Sequence, residues 1–148
     1  MKQPLKRTLL LPMLLVSAVS TAQAADITVN GTTCTLADAI TAANTDTATG
    51  GCVAGSIDDA DTIILETNVT LTAALPEINS ILTINGKEHF ISGNNDANVG
   101  SVLRVTEAGM LTLIDTTITG GKTSDYGGGI KNYGFVILQG ATVTGNTS

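Results

Sequence analysis

Positive charge, aromatic rings and histidine are all scarce in this 148-residue sequence, which has 7 Lys and Arg against 13 Asp and Glu. Three of the basic residues, Lys2, Lys6 and Arg7, fall at the very start. From residue 25 onward only Lys87, Arg104, Lys122 and Lys131 remain against all 13 carboxylates, a net charge of −9. Such a surface excludes a nucleic-acid partner and charge-driven adhesion to anionic lipid. Aromatic residues make up 3% of the chain, which fits a narrow interior. The single histidine, His89, is far in sequence from the two cysteines, so a zinc site is short of ligands. No Ser or Cys nucleophile stands at a recognisable elbow beside it, and His89 reads as structural or solvated. Beyond Asp61 no helical period is long enough for a βαβ crossover, which disfavours a doubly wound sheet.

The first residues have the three-part pattern of a secretory signal peptide. A basic start leads into an apolar run, Leu9 to Val19, and then into small residues at Ala22-Gln23-Ala24. The run is short for a bilayer-spanning helix, which makes an uncleaved anchor the weaker reading. No Cys stands beside the cleavage point, as a lipoprotein would need. The mature chain therefore begins at Ala25, with no later apolar run able to cross a membrane as a helix.

The two cysteines that remain, Cys34 and Cys52, read first as a disulfide in an exported protein, with a metal site the weaker alternative. The bond would close a polar tract, Asn44 to Gly51. Just after Cys34, the residues Leu36, Ala39, Ile40 and Ala43 recur at i, i+3, i+4 and i+7, the spacing of one helical face. Thr35 is a good N-cap, with Asp38 in the capping-box position. The helix is expected to stop near Asn44.

Short β-rich runs follow, at 62–65, 69–72, 81–84, 89–92, 102–105, 110–113, 116–119 and 135–138, after a first at 26–30. Turn residues such as Asn85-Gly86, Gly120-Gly121 and Gly127-Gly128-Gly129 separate them. One pattern is written twice. Val105 to Gly121 (VTEAGMLTLIDTTITGG) slides onto Ile130 to Asn146 (IKNYGFVILQGATVTGN) with an offset of 25 residues. Gly109 then meets Gly134, Leu113 meets Leu138 and Thr117 meets Thr142, while Val105 falls on Ile130 and Ile118 on Val143. A fixed period of this size is the signature of stacked repeats. It favours an all-β fold, a right-handed parallel β-helix (a pectin-lyase-like solenoid) with a short N-terminal amphipathic capping helix, over a β-sandwich. The expected organisation is a signal peptide at 1–24, an N-terminal cap at 25–60, and first coils at 61–148 that continue beyond the chain end. The last coil has no visible cover, which points to a longer natural polypeptide or to self-association there.

Cys34-Thr35-Leu36-Ala37-Asp38-Ala39-Ile40 resembles the CSLREA motif, which marks an N-terminal domain ahead of parallel β-helices in exported bacterial proteins. Ala42-Ala43-Asn44, Gly51-Cys52, Ala60-Asp61-Thr62-Ile63 and Leu75-Pro76-Glu77-Ile78 are similar to the rest of that pattern. Gly127 to Gly134, with Ala141 to Asn146, looks like the coil of polymorphic-outer-membrane-protein-like surface repeats. Ala37 and Asp38 replace the usual Arg and Glu, so any ion pair made by that Arg is absent. The resemblance implies an export route and a surface role, and no catalytic residue.

The function expected from these features is a non-catalytic surface or extracellular protein that binds or adheres, with surface glycans or proteins as partners, without a cofactor or metal. The alternative is the N-terminal part of a polysaccharide lyase or glycoside hydrolase whose catalytic coils lie downstream. A third reading is a truncated product with no function of its own. Asp58, Asp59 and Asp61 form the densest acidic group, read as a solvated turn in preference to a Ca²⁺ loop or a glycosidase pair. Arg104 reads as an outward strand residue, its partner (Glu107 or Asp115) left open. The triplets at Asn68 and Asn146 match a glycosylation sequon, but corner asparagines stacking in ladders explain them equally well.

Overall fold

The structure, a computed structural model, describes residues 24–148. The signal peptide expected over residues 1–24 lies outside the described residues but for Ala24. The chain opens with strand β1 (Asp26–Val29) and helix α1 (Leu36–Thr45). Strands β2 (Asp61–Leu65), β3 (Val69–Thr70), β4 (Ile81–Asn85), β5 (Phe90–Ser92) and β6 (Leu103–Val105) follow. β7 (Met110–Ile114), β8 (Thr117–Thr119), β9 (Ile130–Asn132), β10 (Phe135–Gln139) and β11 (Thr142–Val143) complete the chain.

The strands form three sheets, ordered β1-β2-β4-β7-β10, β11-β8-β5-β3 and β6-β9, and every ladder between them is parallel. Their period-2 apolar pattern is what a half-buried strand requires. In register, like residues stack in columns. Ile27 lies beside Ile63, then Ile84, Leu113 and Leu138. The first four are fully buried, whereas Leu138, on the last strand, is 49% exposed. A second column runs Val69, Ile91, Ile118, Val143. Each fully buried aliphatic side chain here stabilises by about 1.5–3 kcal/mol against leaving it in water.

Helix α1 adds Leu36, Ala39, Ile40, Ala42 and Ala43 to this same core. The expectation of an all-β chain, a right-handed parallel β-helix of pectin-lyase-like solenoid type with the helix as a mere cap, is therefore corrected. The described residues form a small α/β fold of mostly parallel strands with one helix. Sequence pattern underweighted the helix because ten residues among many strands look accessory, yet half of them are buried against the sheets.

The sequence repeat needs a second correction. The 25-residue offset holds where β7 pairs with β10 (Leu111 beside Val136, Leu113 beside Leu138) and where β8 pairs with β11. In the third sheet, however, Ile130 lies beside Leu103 and Asn132 beside Val105, a shift of two residues. The cause is the connection that follows. Thr106 to Gly109 joins β6 to β7, while Tyr133-Gly134 alone joins β9 to β10. Both links return the chain to the same place: a Cβ on Gly134 would run into the carbonyl of Gly109.

Candidate functional site

The N-terminal residues singled out in the sequence lie together. Thr35, in extended conformation, precedes α1, and its Oγ1 accepts a hydrogen bond from Asp38 N at 3.2 Å. The reciprocal capping-box bond is replaced by one from the Thr35 hydroxyl to Asp38 Oδ2 at 2.7 Å. The helix ends at Asp46, whose φ of 51° is left-handed. Cys34 and Cys52 are joined by a disulfide with a Cα–Cα distance of 4.7 Å, and Gly51 N donates to Thr33 O beside it. The apolar face Leu36, Ala39, Ile40 and Ala43 points inward, and Ala42, which the helical spacing did not select, is fully buried too.

The acidic group divides. Asp58 and Asp59 are exposed, but Asp61 is buried at the start of β2, its Oδ1 accepting from Ser56 N at 2.8 Å and Ala25 N at 3.3 Å. Burial pushes its carboxyl above the usual range, against the lowering effect of those two N–H groups, and Asp46 adds to the rise. A raised folded value means that the native state holds this proton more tightly than the unfolded chain does. The associated stability is present below the ordinary carboxylate value and is lost as pH rises through the folded one. Asp61→Asn keeps an oxygen for Ser56 N and removes the buried charge. As pH rises from the ordinary carboxylate value through the raised folded one, its urea midpoint is expected to rise relative to that of the native sequence. A pH-independent difference would contradict this. His89 is tied to Asn68, Nδ1 lying 3.2 Å from Oδ1, and Asn68 Oδ1 also accepts from Phe90 N. Asn146 likewise bridges neighbouring segments, accepting from Gly121 N and donating to Ile118 O. Among the described residues no group of three or more His, Cys, Asp or Glu is placed to hold a metal ion, and no helix is long and apolar enough to cross a membrane.

Arg104 has a different partner from either candidate considered in the sequence. Ile78 bridges Val105 in parallel, which brings Glu77 alongside Arg104. Arg104 Nε lies 3.7 Å from Glu77 Oε1, and Nη2 donates to Leu75 O at 3.4 Å. Nε itself is buried and makes no hydrogen bond. On the other side the register places Lys131 next to Arg104. Lys131 Nζ pairs with Asp125 and sits 5.7 Å from the centroid of the Tyr133 ring. The Lys131 hydrogen bond holds the Asp125 carboxyl below its ordinary range, and Asp125 in turn raises Lys131. Both groups are solvated, so the pair adds little to stability.

These side chains border an open recess of about 280 Å³ lined by Glu77, Arg104, Val105, Thr106, Glu107 and Tyr133. The unequal links build it. The longer one carries Thr106 and Glu107 outward, and the shorter one holds Tyr133 beside them, 63% exposed. The recess thus combines a partly exposed guanidinium, two carboxylates as acceptors, and an aromatic face with an ammonium nearby. Sequence reasoning found Arg104 and Glu107 but missed Glu77 and Tyr133, because only the parallel register brings 77, 104 and 131 into one row. No family model matches the chain, and neither does any curated protein or any solved structure.

Proposed function

We propose that this chain is an exported surface or extracellular protein that binds glycans, and that the Arg104 recess takes an acidic sugar. The leader-like first residues, the disulfide and the strongly acidic mature chain support export into an oxidising setting. The observation that carries the binding reading is the row Glu77, Arg104, Lys131 with Tyr133 beside it. A flat exposed ring offers a sugar an apolar platform, and the partly exposed guanidinium of Arg104 offers it a positive charge. Two of the four cations of the mature chain stand here, each paired with a carboxylate, Arg104 with Glu77 and Lys131 with Asp125. Glu77 and Glu107 accept from hydroxyls, which discriminates a sugar from a bare anion. The resemblance of residues 34–40 to the CSLREA motif supports the same surface role. Asp61 and His89 have structural partners: Asp61 accepts from Ser56 N and from Ala25 N, the first group of the mature chain, and His89 is held by Asn68. A binding role therefore accounts for them better than a catalytic one.

The test is titration of the exported protein with an oligouronate and with a neutral oligosaccharide of the same length, followed by NMR. Saturable shifts at Tyr133 and Arg104 with the oligouronate are expected. Tyr133→Ala, a change at an exposed position, should weaken binding by at least about tenfold without moving the unfolding midpoint. Equal binding by Tyr133→Ala, or no shift with either sugar, would remove the reading. Release of reducing or unsaturated ends would replace it with an enzymatic one.

A further inference from the structure

The three sheets do not begin at the same level. β2, β4, β7 and β10 of the first sheet have counterparts β3, β5, β8 and β11 in the second. β1 has none, because after Val29 the chain turns at Asn30–Cys34 and enters α1. The place beside β3 where that counterpart would lie is an open groove of about 370 Å³. Its walls are the end of β1 (Val29, Gly31), the first turn of α1 (Leu36, Ala37) and the segment from Val69 to Leu75.

Two observations indicate what the groove takes. Leu71 N donates to Ser92 O on the β5 side. Backbone groups of successive strand residues point to opposite sides, so Thr70 turns its N–H and C=O toward the groove, where they have no partner among the described residues. In addition, the column Val143, Ile118, Ile91, Val69 ends at this edge. Ile91 and Ile118 are fully buried, but Val69 is only half-buried, since no strand lies beyond it. Small residues line the opening, Gly31, Ala37, Ala73 and Ala74, and leave room for a backbone to approach.

We infer that this groove is a strand-addition site, in which an extended peptide with a β-branched apolar residue between two small polar ones pairs with β3 and covers Val69. Backbone pairing with Thr70 would supply affinity, and the apolar side chain over Val69 would set register and selectivity. The groove and the Arg104 recess share no lining residue, although Leu75 of the groove accepts from Arg104 Nη2, and the proposal stands without the glycan reading.

The probe is a capped synthetic pentapeptide, Thr-Thr-Ile-Thr-Gly, the sequence of the chain's own residues 116–120, which already fills this place in the sheet two strands away. It is titrated to millimolar concentration into the isotope-labelled exported protein. Saturable shifts at Thr70, Leu71 and Ala37 are expected, with amide exchange at Thr70 slowed by at least about tenfold. The same peptide N-methylated at alternate amides should give neither effect on the same protein, a comparison that needs no folded variant. Ala37→Phe, which fills the groove from α1, should also abolish both. Absence of saturable change at Thr70, or equal binding by the N-methylated peptide, would overturn the proposal.

Discussion

Replacing Ile84 by alanine is expected to cost the fold about 2–5 kcal/mol, while the same replacement at Ile81, three residues earlier on the same strand, costs less than about 0.5 kcal/mol. Ile84 is fully buried in β4, the middle strand of the five-stranded sheet, between Ile63 on one side and Leu113 on the other. Removing its side chain beyond Cβ leaves a cavity that both neighbours border, and parallel ladders on each side restrain the backbone from closing it. Ile81 points outward and is 55% exposed, so its loss removes little buried area. Against a total stability of about 5–15 kcal/mol, the buried change takes a large share. Urea unfolding of the two variants checks the difference. Similar midpoints for both would mean that the register of β4 is wrong by one residue, which would exchange its two faces.

Replacing both Cys34 and Cys52 by alanine is expected to lower stability by about 3 kcal/mol through the added freedom of the unfolded chain. The bond spans a sequence separation of 18 residues. The loop it closes holds the whole of α1 and, after it, a bridge between Thr49 and Cys52. Both sulfurs are buried beside the first turn of α1, and the Cys34 and Cys52 side chains belong to the core. The double variant thus also loses some packing, while a reduced but otherwise intact protein loses the cross-link alone. An unchanged midpoint in the double variant would show that the loop is already constrained in the unfolded state. Exchange of amides from Thr47 to Gly55 should rise first on reduction, ahead of those in β4 and β7.

The local structure was largely legible in the residues. Thr35 followed by the 36, 39, 40, 43 spacing marks α1, and period-2 runs mark the longer strands, since each signal comes from neighbours in sequence. β9 and β11 escaped notice as strands, although β3, β5, β6 and β8, which are just as short, were expected. Gly127-Gly128-Gly129 before β9 and Gly140 and Gly145 around β11 make both stretches read as turn. The fold class was misread for a different reason: periodicity counts strands but does not weigh how much of the core a single helix supplies. The candidate recess was the least legible part. Glu77, Arg104 and Lys131 are roughly one layer apart in sequence, and an alignment by glycines shifts the third sheet by two residues. That shift puts Val105 on Ile130 and conceals the adjacency of Arg104 and Lys131. Asp61 was hidden by company, since nothing in a run of three aspartates says which one turns inward.

The unequal links between the third and first sheets bear on how such a protein can change. Two residues suffice at Tyr133-Gly134 and four are used at Thr106 to Gly109, yet Met110 and Phe135 still meet side by side. The ladders therefore accept links of two lengths at this corner, provided that Gly109 and Gly134 keep their close approach. Residues added at the exposed Glu107-Ala108, between Thr106 and Gly109, which bond to their neighbours through the backbone, are expected to leave the strand pairings in place. The corner is a natural place for sequence to diversify under selection and for an engineer to graft a recognition loop, with the frame held constant beneath it.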